Sequence, residues 1–189
     1  MTDAATDIAL IERYVAGDMT AFDQLVRLHQ DRVFGICLRM LRSRDAALDA
    51  TQDTFVTLLR KADRYRAEAA FSTWLYRVTV NVCYDHLRRR QRRATDQLPD
   101  HHDQPDPKAV EALESVELRP DVERALATLS DDFRAAVVLV DVQGLSLETA
   151  AQVLEVPVGT VKSRVFRGRR QLADQLGNLR PPPHHPTET

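Results

Sequence analysis

The sequence predicts an all-α chain. It reads as two small helical domains, an N-terminal helical bundle and a C-terminal helix-turn-helix domain, joined by a flexible acidic linker. Three observations predict this. Only six of the 189 residues are glycine, and Ala, Leu, Arg, Asp and Val dominate, a helix-forming composition. Apolar residues recur at three- and four-residue spacing towards both ends of the chain, the mark of amphipathic helices. Charge is divided unevenly: residues 1–93 carry +4, residues 94–121 carry −6, and residues 122–189 are neutral.

The N-terminal domain, residues 1–93, reads as four helices. Asp7-Ile8-Ala9-Leu10-Ile11 opens the first, Tyr14-Val15 continues its face, and Gly17-Asp18 stops it. Thr20 is placed as the cap of a second, whose face carries Phe22, Leu25, Val26, Leu28, Val33, Phe34, Ile36, Cys37 and Met40. Ser43 to Asp45 breaks that run. Ala46 to Lys61 forms the third helix, with Phe55, Leu58 and Leu59 apolar. Ser72 starts the fourth, with Trp74, Leu75, Val78, Val82 and Leu87 inward, and it ends in Arg88-Arg89-Arg90-Gln91-Arg92-Arg93.

Residues 94–121 read as the linker. They hold Pro99, Pro105, Pro107 and Pro120 beside His101 and His102, with little apolar periodicity before Val110. The C-terminal domain, residues 122–178, shows four helical patterns. Val122 to Thr128 is the first. Ser130, with Asp131 and Asp132, caps Phe133 to Asp141, which Gly144 ends. Ser146 caps Leu147 to Leu154, and Thr160 is placed as the cap of Val161 to Leu176. The Pro/His-rich tail, residues 179–189, reads as disordered.

Composition excludes several classes. Met1 to Asp7 is polar and acidic, unlike a signal peptide, and no apolar run approaches the ~20 residues of a membrane span, so the cytoplasm is the expected location. The two cysteines, Cys37 and Cys83, lie in apolar helical stretches without metal-ligand spacing and read as reduced core residues. No nucleophile–base pairing, metal spacing or glycine-rich phosphate loop marks an enzyme, so no catalytic residue, metal or cofactor is expected. The net charge of −2 is unusual for a protein that binds DNA unaided, so its basic residues must be clustered or its DNA binding assisted.

They are clustered. Gly144 to Arg170 reads as cap, short helix, tight turn and second helix, with small Ala150 and Ala151 allowing close approach. From Gly159 to Leu172 there are five basic residues and no acid. Val161, Val165 and Leu172 mark the buried stripe, leaving Lys162, Ser163, Phe166 and Arg167 on one outward face. Such a face suits the major groove: Lys or Arg donates to guanine, Ser to several base edges, and Phe touches a thymine methyl. Arg169 and Arg170 are expected at phosphates, and Thr160 at the helix start, where free N–H groups meet a phosphate.

A second cluster runs from Tyr65 to Arg90. Aromatic residues alternate with arginines ahead of the arginine-rich helix end. That mixture fits unstacked single-stranded bases, with rings stacking and arginines holding the backbone. It equally fits a core containing Phe71 and Trp74 above a solvated helix end.

Together these segments resemble the extracytoplasmic-function (ECF) group of the bacterial sigma-70 family. The likeness is carried by Gly17-Asp18 with Ala21-Phe22 and Leu25-Val26, by Asp49-Ala-Thr-Gln52-Asp53-Thr-Phe55, by Phe71 to Arg90 and by Gly144 to Arg170. The resemblance implies core RNA polymerase, promoter DNA and an anti-sigma factor as partners. It implies polymerase binding through Asp49, Gln52, Asp53 and Phe55. It implies recognition and melting of the −10 element by Tyr65, Arg66, Trp74, Tyr76, Arg77, Asn81 and Arg88, with Tyr65 and Arg66 lining a flipped-base pocket. It places Lys162, Ser163, Phe166 and Arg167 at the −35 element. One departure stands out: Ala46-Ala47-Leu48-Asp49 replaces the Asp-Ala-Glu-Asp that many members carry there.

The two elements would lie on the order of 70–85 Å apart at ~34 Å per helical turn. A free coil of about 26 linker residues averages only ~30 Å. The isolated chain is therefore expected not to hold its domains at promoter spacing.

Overall fold

The computed structural model describes residues 4–62, 65, 70–96 and 120–177. The described residues form helices and their connections, with no strand among them. The predicted linker and tail therefore fall largely outside the description, except that helix continues through Asp96 and resumes at Pro120.

Four helices form the N-terminal bundle: α1 (Ala4–Val15), α2 (Met19–Leu41), α3 (Arg44–Lys61) and α4 (Phe71–Asp96). The turn between α1 and α2 is set by Gly17, whose φ of +103° suits glycine, and by Asp18. Asp18, not Thr20, caps α2: its Oδ1 accepts from the Thr20 amide at 3.0 Å. Arg13 and the Thr20 hydroxyl also donate to this carboxylate, which holds Asp18 below the usual carboxylate range. Thr20 was a reasonable choice by residue type, but Asp18 has the same capping chemistry and lies at the geometric boundary. At the other end, α2 stops on Arg42 in the left-handed region (φ 58°), and Ser43 caps α3.

The C-terminal helices are α5 (Pro120–Thr128), α6 (Asp131–Val137), α7 (Leu147–Leu154) and α8 (Val158–Gly177). Ser130 and Ser146 cap α6 and α7 as the sequence predicts, the Thr149 amide donating to Ser146 Oγ at 3.1 Å. Beyond Val137 the backbone widens into a π-helical turn, Val138–Val142, and Gly144 (φ +70°) releases the chain towards α7. Thr160 lies inside the first turn of α8, its amide donating to Pro157 O at 2.9 Å, so it is not a cap. Pro157 can precede the helix because its missing N–H would have had no partner there.

Close packing of α6 on α8 depends on Gly168. A Cβ at that position would lie 2.6 Å from Val137 Cγ2. Val161 and Val165 complete the buried stripe of α8.

The two helical modules share one continuous core. α4 lies along α7, and the C-terminal end of α2 meets α5 and α6. Buried polar contacts fix the second junction. Arg39 Nε donates to Glu123 Oε1 at 2.9 Å, and both side chains are buried. The Arg42 side chain reaches across the junction, Nη1 donating to Ala127 O at 3.2 Å, while its backbone N–H closes α2 on Leu38 O at 2.9 Å. Arg134, 1% exposed, donates to Met40 O at 3.1 Å and to Leu126 O at 3.0 Å. It therefore holds the carbonyl ends of α2 and α5 together. α4 is tied to the C-terminal helices by two side chains: Tyr84 donates to Asp132 of α6 at 3.2 Å, and Arg77 reaches Glu155, which ends α7, at 3.9 Å.

Candidate nucleic-acid and protein interfaces

The residues expected at the major groove lie on one solvent-facing side of α8. Lys162, Ser163, Phe166, Arg167, Arg169 and Arg170 are all exposed, whereas Thr160 is half-buried. Phe166 is 68% exposed among the described residues. Ser163 Oγ donates to Thr160 O at 2.9 Å, leaving the hydroxyl oxygen free to accept.

The basic residues of this helix are not equivalent. Asp141 accepts two bonds from Arg169, at 3.1 Å to Nε and 2.5 Å to Nη2. That fork pins Arg169 back onto the π-helical turn and raises its pKa further. Arg164 is paired with Asp132 at 2.5 Å, and Asp132 also accepts from Tyr84. Burial is the largest cause raising the Tyr84 pKa, with Asp132 adding to it, so this phenol is a proton donor at any ordinary pH. A chain of three side chains thus links α4, the start of α6 and α8. Sequence spacing gave no sign of it, because its members are distant along the chain.

The aromatic–arginine cluster resolves in part. Tyr65 and Trp74 are half-buried with ring centroids 5.3 Å apart, and Phe71 meets Tyr65 edge-on at 5.8 Å. Burial raises the Tyr65 pKa, with a smaller contribution from Asp7. Beneath them the His29 ring meets Phe71 at a 60° tilt, centroids 5.3 Å apart, and is held by Asp7 at 2.9 Å. Asn81 and Arg88 are exposed, Arg88 bonding Asp85 at 2.5 Å. Tyr76 is buried at 3% exposure, and Arg77 is half-buried beside Glu155. Arg66 lies outside the described residues.

On α3, Asp49, Gln52 and Asp53 are exposed while Phe55 points into the core at 9% exposure. Asp53 is bonded by His86 Nε2 at 2.9 Å. The apolar surface of this helix comes instead from Leu48 (48%), Val56 (38%) and Leu59 (37%). Their spacing puts them on one side with Gln52, a pattern present in the sequence but masked by Phe55 as the more conspicuous residue.

Among the described residues no cluster of three or more His, Cys, Asp or Glu side chains could hold a metal, and no helix is long and apolar enough to cross a membrane.

Comparison with known proteins gives these surfaces a context. Residues 25–93 match Sigma-70 region 2 and residues 119–172 match Sigma-70, region 4. These two regions, in this order on one chain, are those of a sigma-70-type transcription initiation factor. The ECF RNA polymerase sigma factor SigM of Mycobacterium tuberculosis is 42% identical over 92% of this chain and 86% of its own length. The ECF RNA polymerase sigma factor SigE of Mycolicibacterium smegmatis is 40% identical over 84% of this chain, which spans only 62% of that relative. Among solved structures, the sigma factor RpoE in complex with the anti-sigma factor NepR, from Bartonella quintana, superposes with a TM-score of 0.67. That match is 29% identical and covers 84% of this chain and 98% of RpoE. The chain belongs to the ECF group of sigma factors.

Proposed function

We propose that this chain directs core RNA polymerase to promoters by reading a −35 element with α8 and a −10 element with the cluster from Tyr65 to Arg88, initiating strand opening at the latter. The chain performs no catalysis of its own and acts in the cytoplasm, where the polymerase is. Residues 1–93 and 122–178 are the two working domains, and residues 94–121 tether them.

The observation that carries the reading is the outward side of α8. Phe166, 68% exposed among the described residues, sits beside Lys162, Ser163, Arg167 and Arg170. A hydrophobic ring amid cations is costly in water and apt for a thymine methyl in a groove lined by phosphates. The exposed arginines from Arg88 to Arg93 continue from Asn81 along α4 and supply backbone contacts for a separated strand. Asp49, Gln52, Asp53 and the apolar stripe Leu48, Val56 and Leu59 form the face for polymerase. An anti-sigma factor that covers these surfaces, as one partners the similar RpoE, would regulate the chain.

Run-off transcription with purified core polymerase tests the assignment. Arg167→Ala should lower discrimination at the −35 element by roughly 1–3 kcal/mol. Unchanged transcription from every promoter would reject this face as the reader.

A further inference from the structure

The two cysteines are 46 positions apart in the sequence, yet the fold brings them together. Cys37 on α2 and Cys83 on α4 face each other in the core of the bundle, with sulfurs 3.7 Å apart, and each is fully buried. A disulfide needs about 2.05 Å between sulfurs, so each must move by roughly 0.8 Å. We propose that Cys37 and Cys83 form a reversible intramolecular disulfide site that ties α2 to α4 when the bundle opens to an oxidant of the hydroperoxide class.

The chemistry balances within the pair. One sulfur, as thiolate, attacks a peroxide oxygen. The O–O bond breaks, a sulfenic acid forms and water leaves once the released hydroxide takes up a proton. The second sulfur then attacks the sulfenic sulfur; the S–O bond breaks, the S–S bond forms and a second water leaves with the second thiol proton. Two thiols are oxidised and one peroxide is reduced to two waters.

Burial sets when this happens. The thiol–thiol hydrogen bond and the dry surroundings push the Cys83 pKa well up, so the closed bundle holds little thiolate. Reaction therefore follows separation of α2 from α4. Once formed, the bridge keeps both sulfurs from the irreversible sulfinic and sulfonic acids and constrains the chain against further opening.

The test uses the full chain treated with hydrogen peroxide in increasing sub-denaturing urea, then denatured, alkylated and weighed by mass spectrometry. The expected product is a monomer lacking two hydrogens, with neither thiol alkylated. Its rate of formation should rise with urea, and dithiothreitol should restore both thiols. The oxidised chain should melt higher by roughly 5–15 °C. In Cys37→Ala and Cys83→Ala the remaining thiol should proceed to acids that dithiothreitol does not reverse, a comparison valid even if these variants are less stable. Intermolecular dimers, independent loss of one thiol in the parent chain, or thiols that survive urea-assisted oxidation would each overturn the proposal.

Discussion

Replacing Arg134 with alanine should destabilise the chain by about 3–5 kcal/mol, because it leaves several carbonyls without their donor at about 1–3 kcal/mol each, less the cost of burying the charge. The magnitude follows from what the guanidinium holds. Its Nε donates to Leu126 O at 3.0 Å; its Nη1 donates to Met40 O at 3.1 Å and to Asp131 Oδ1 at 2.8 Å. Its Nη2 donates to Ala127 O at 3.3 Å and also to Leu129 O. Four of these five acceptors are backbone carbonyls at or just beyond the ends of α2 and α5, where intrahelical partners run out, although Leu126 O also accepts from the Leu129 amide at 3.2 Å. Bonds to a charged donor contribute about 1.5–3 kcal/mol each, but five do not add, because the charge is itself costly to bury. Burial is the largest cause depressing the Arg134 pKa, Arg42 adds to it, and Asp131 opposes it. Truncation removes that cost together with the bonds, which leaves the quoted range. Urea unfolding followed by far-ultraviolet circular dichroism measures it. Arg134→Lys should fall between parent and alanine, since a point charge cannot serve a forked set of acceptors. An alanine variant within about 1 kcal/mol of the parent would mean that water replaces the guanidinium freely, and the reasoning would fail.

Gly168→Ala should cost about 1–3 kcal/mol in the same assay, because the added methyl meets Val137 Cγ2 at 2.6 Å and α6 must part from α8. Asp141→Asn should release Arg169 from its fork and steepen the salt dependence of DNA binding by about one phosphate contact, read from affinities across a salt series. No change in slope would show that Arg169 reaches phosphate while still bound to Asp141. Burial raises the Glu123 pKa against the opposing pull of Arg39. In the window between the unfolded and the raised folded value, the folded chain binds the proton more tightly. This group then adds stability as pH falls through that window and withdraws it as pH rises. Glu123→Gln should flatten that part of the pH–stability curve obtained from urea melts; an identical curve would contradict the assignment.

The helices were legible in the sequence because period and caps agreed. Ser130 and Ser146 stand where a hydroxyl precedes an apolar stripe, and both cap. Thr20 and Thr160 satisfied the same rule and do not cap, because Asp18 and Pro157 occupy the true boundaries one or more residues earlier. The exposed side of α8 was legible for the same reason that its core stripe was: one period fixes both. Tyr76 and Phe55 were harder. Each follows a helical pattern compatible with either side, and only packing against another element buries it. The joining of the modules through Arg39, Arg134 and Tyr84 was illegible, since nothing local distinguishes an arginine that meets solvent from one that meets carbonyls 94 residues away.

That junction bears on how the proposed reading would proceed. In the structure α4 lies directly against α7, with Arg77 beside Glu155 and Tyr84 on Asp132. Helices in contact lie about 8–10 Å apart, while the two promoter elements lie on the order of 70–85 Å apart. The packed chain cannot span both. It exposes Lys162, Ser163, Phe166 and Arg167 but holds Arg77 half-buried beside Glu155, so packing affects the two readings unequally. On the proposed function, DNA meets α8 without rearrangement, whereas full contact with the separated strand requires α4 to leave α7 and Arg39 to leave Glu123. Breaking such a buried pair exposes both charges to water, which recovers much of their desolvation cost and keeps the separation within reach of a binding event. Polymerase, by holding the modules apart, would supply the remainder. A fluorescence distance between labels on α1 and on the C-terminal end of α8 should therefore be short in the free chain and lengthen on adding core polymerase alone. Lengthening only after DNA is added would place the work of separation on the promoter instead.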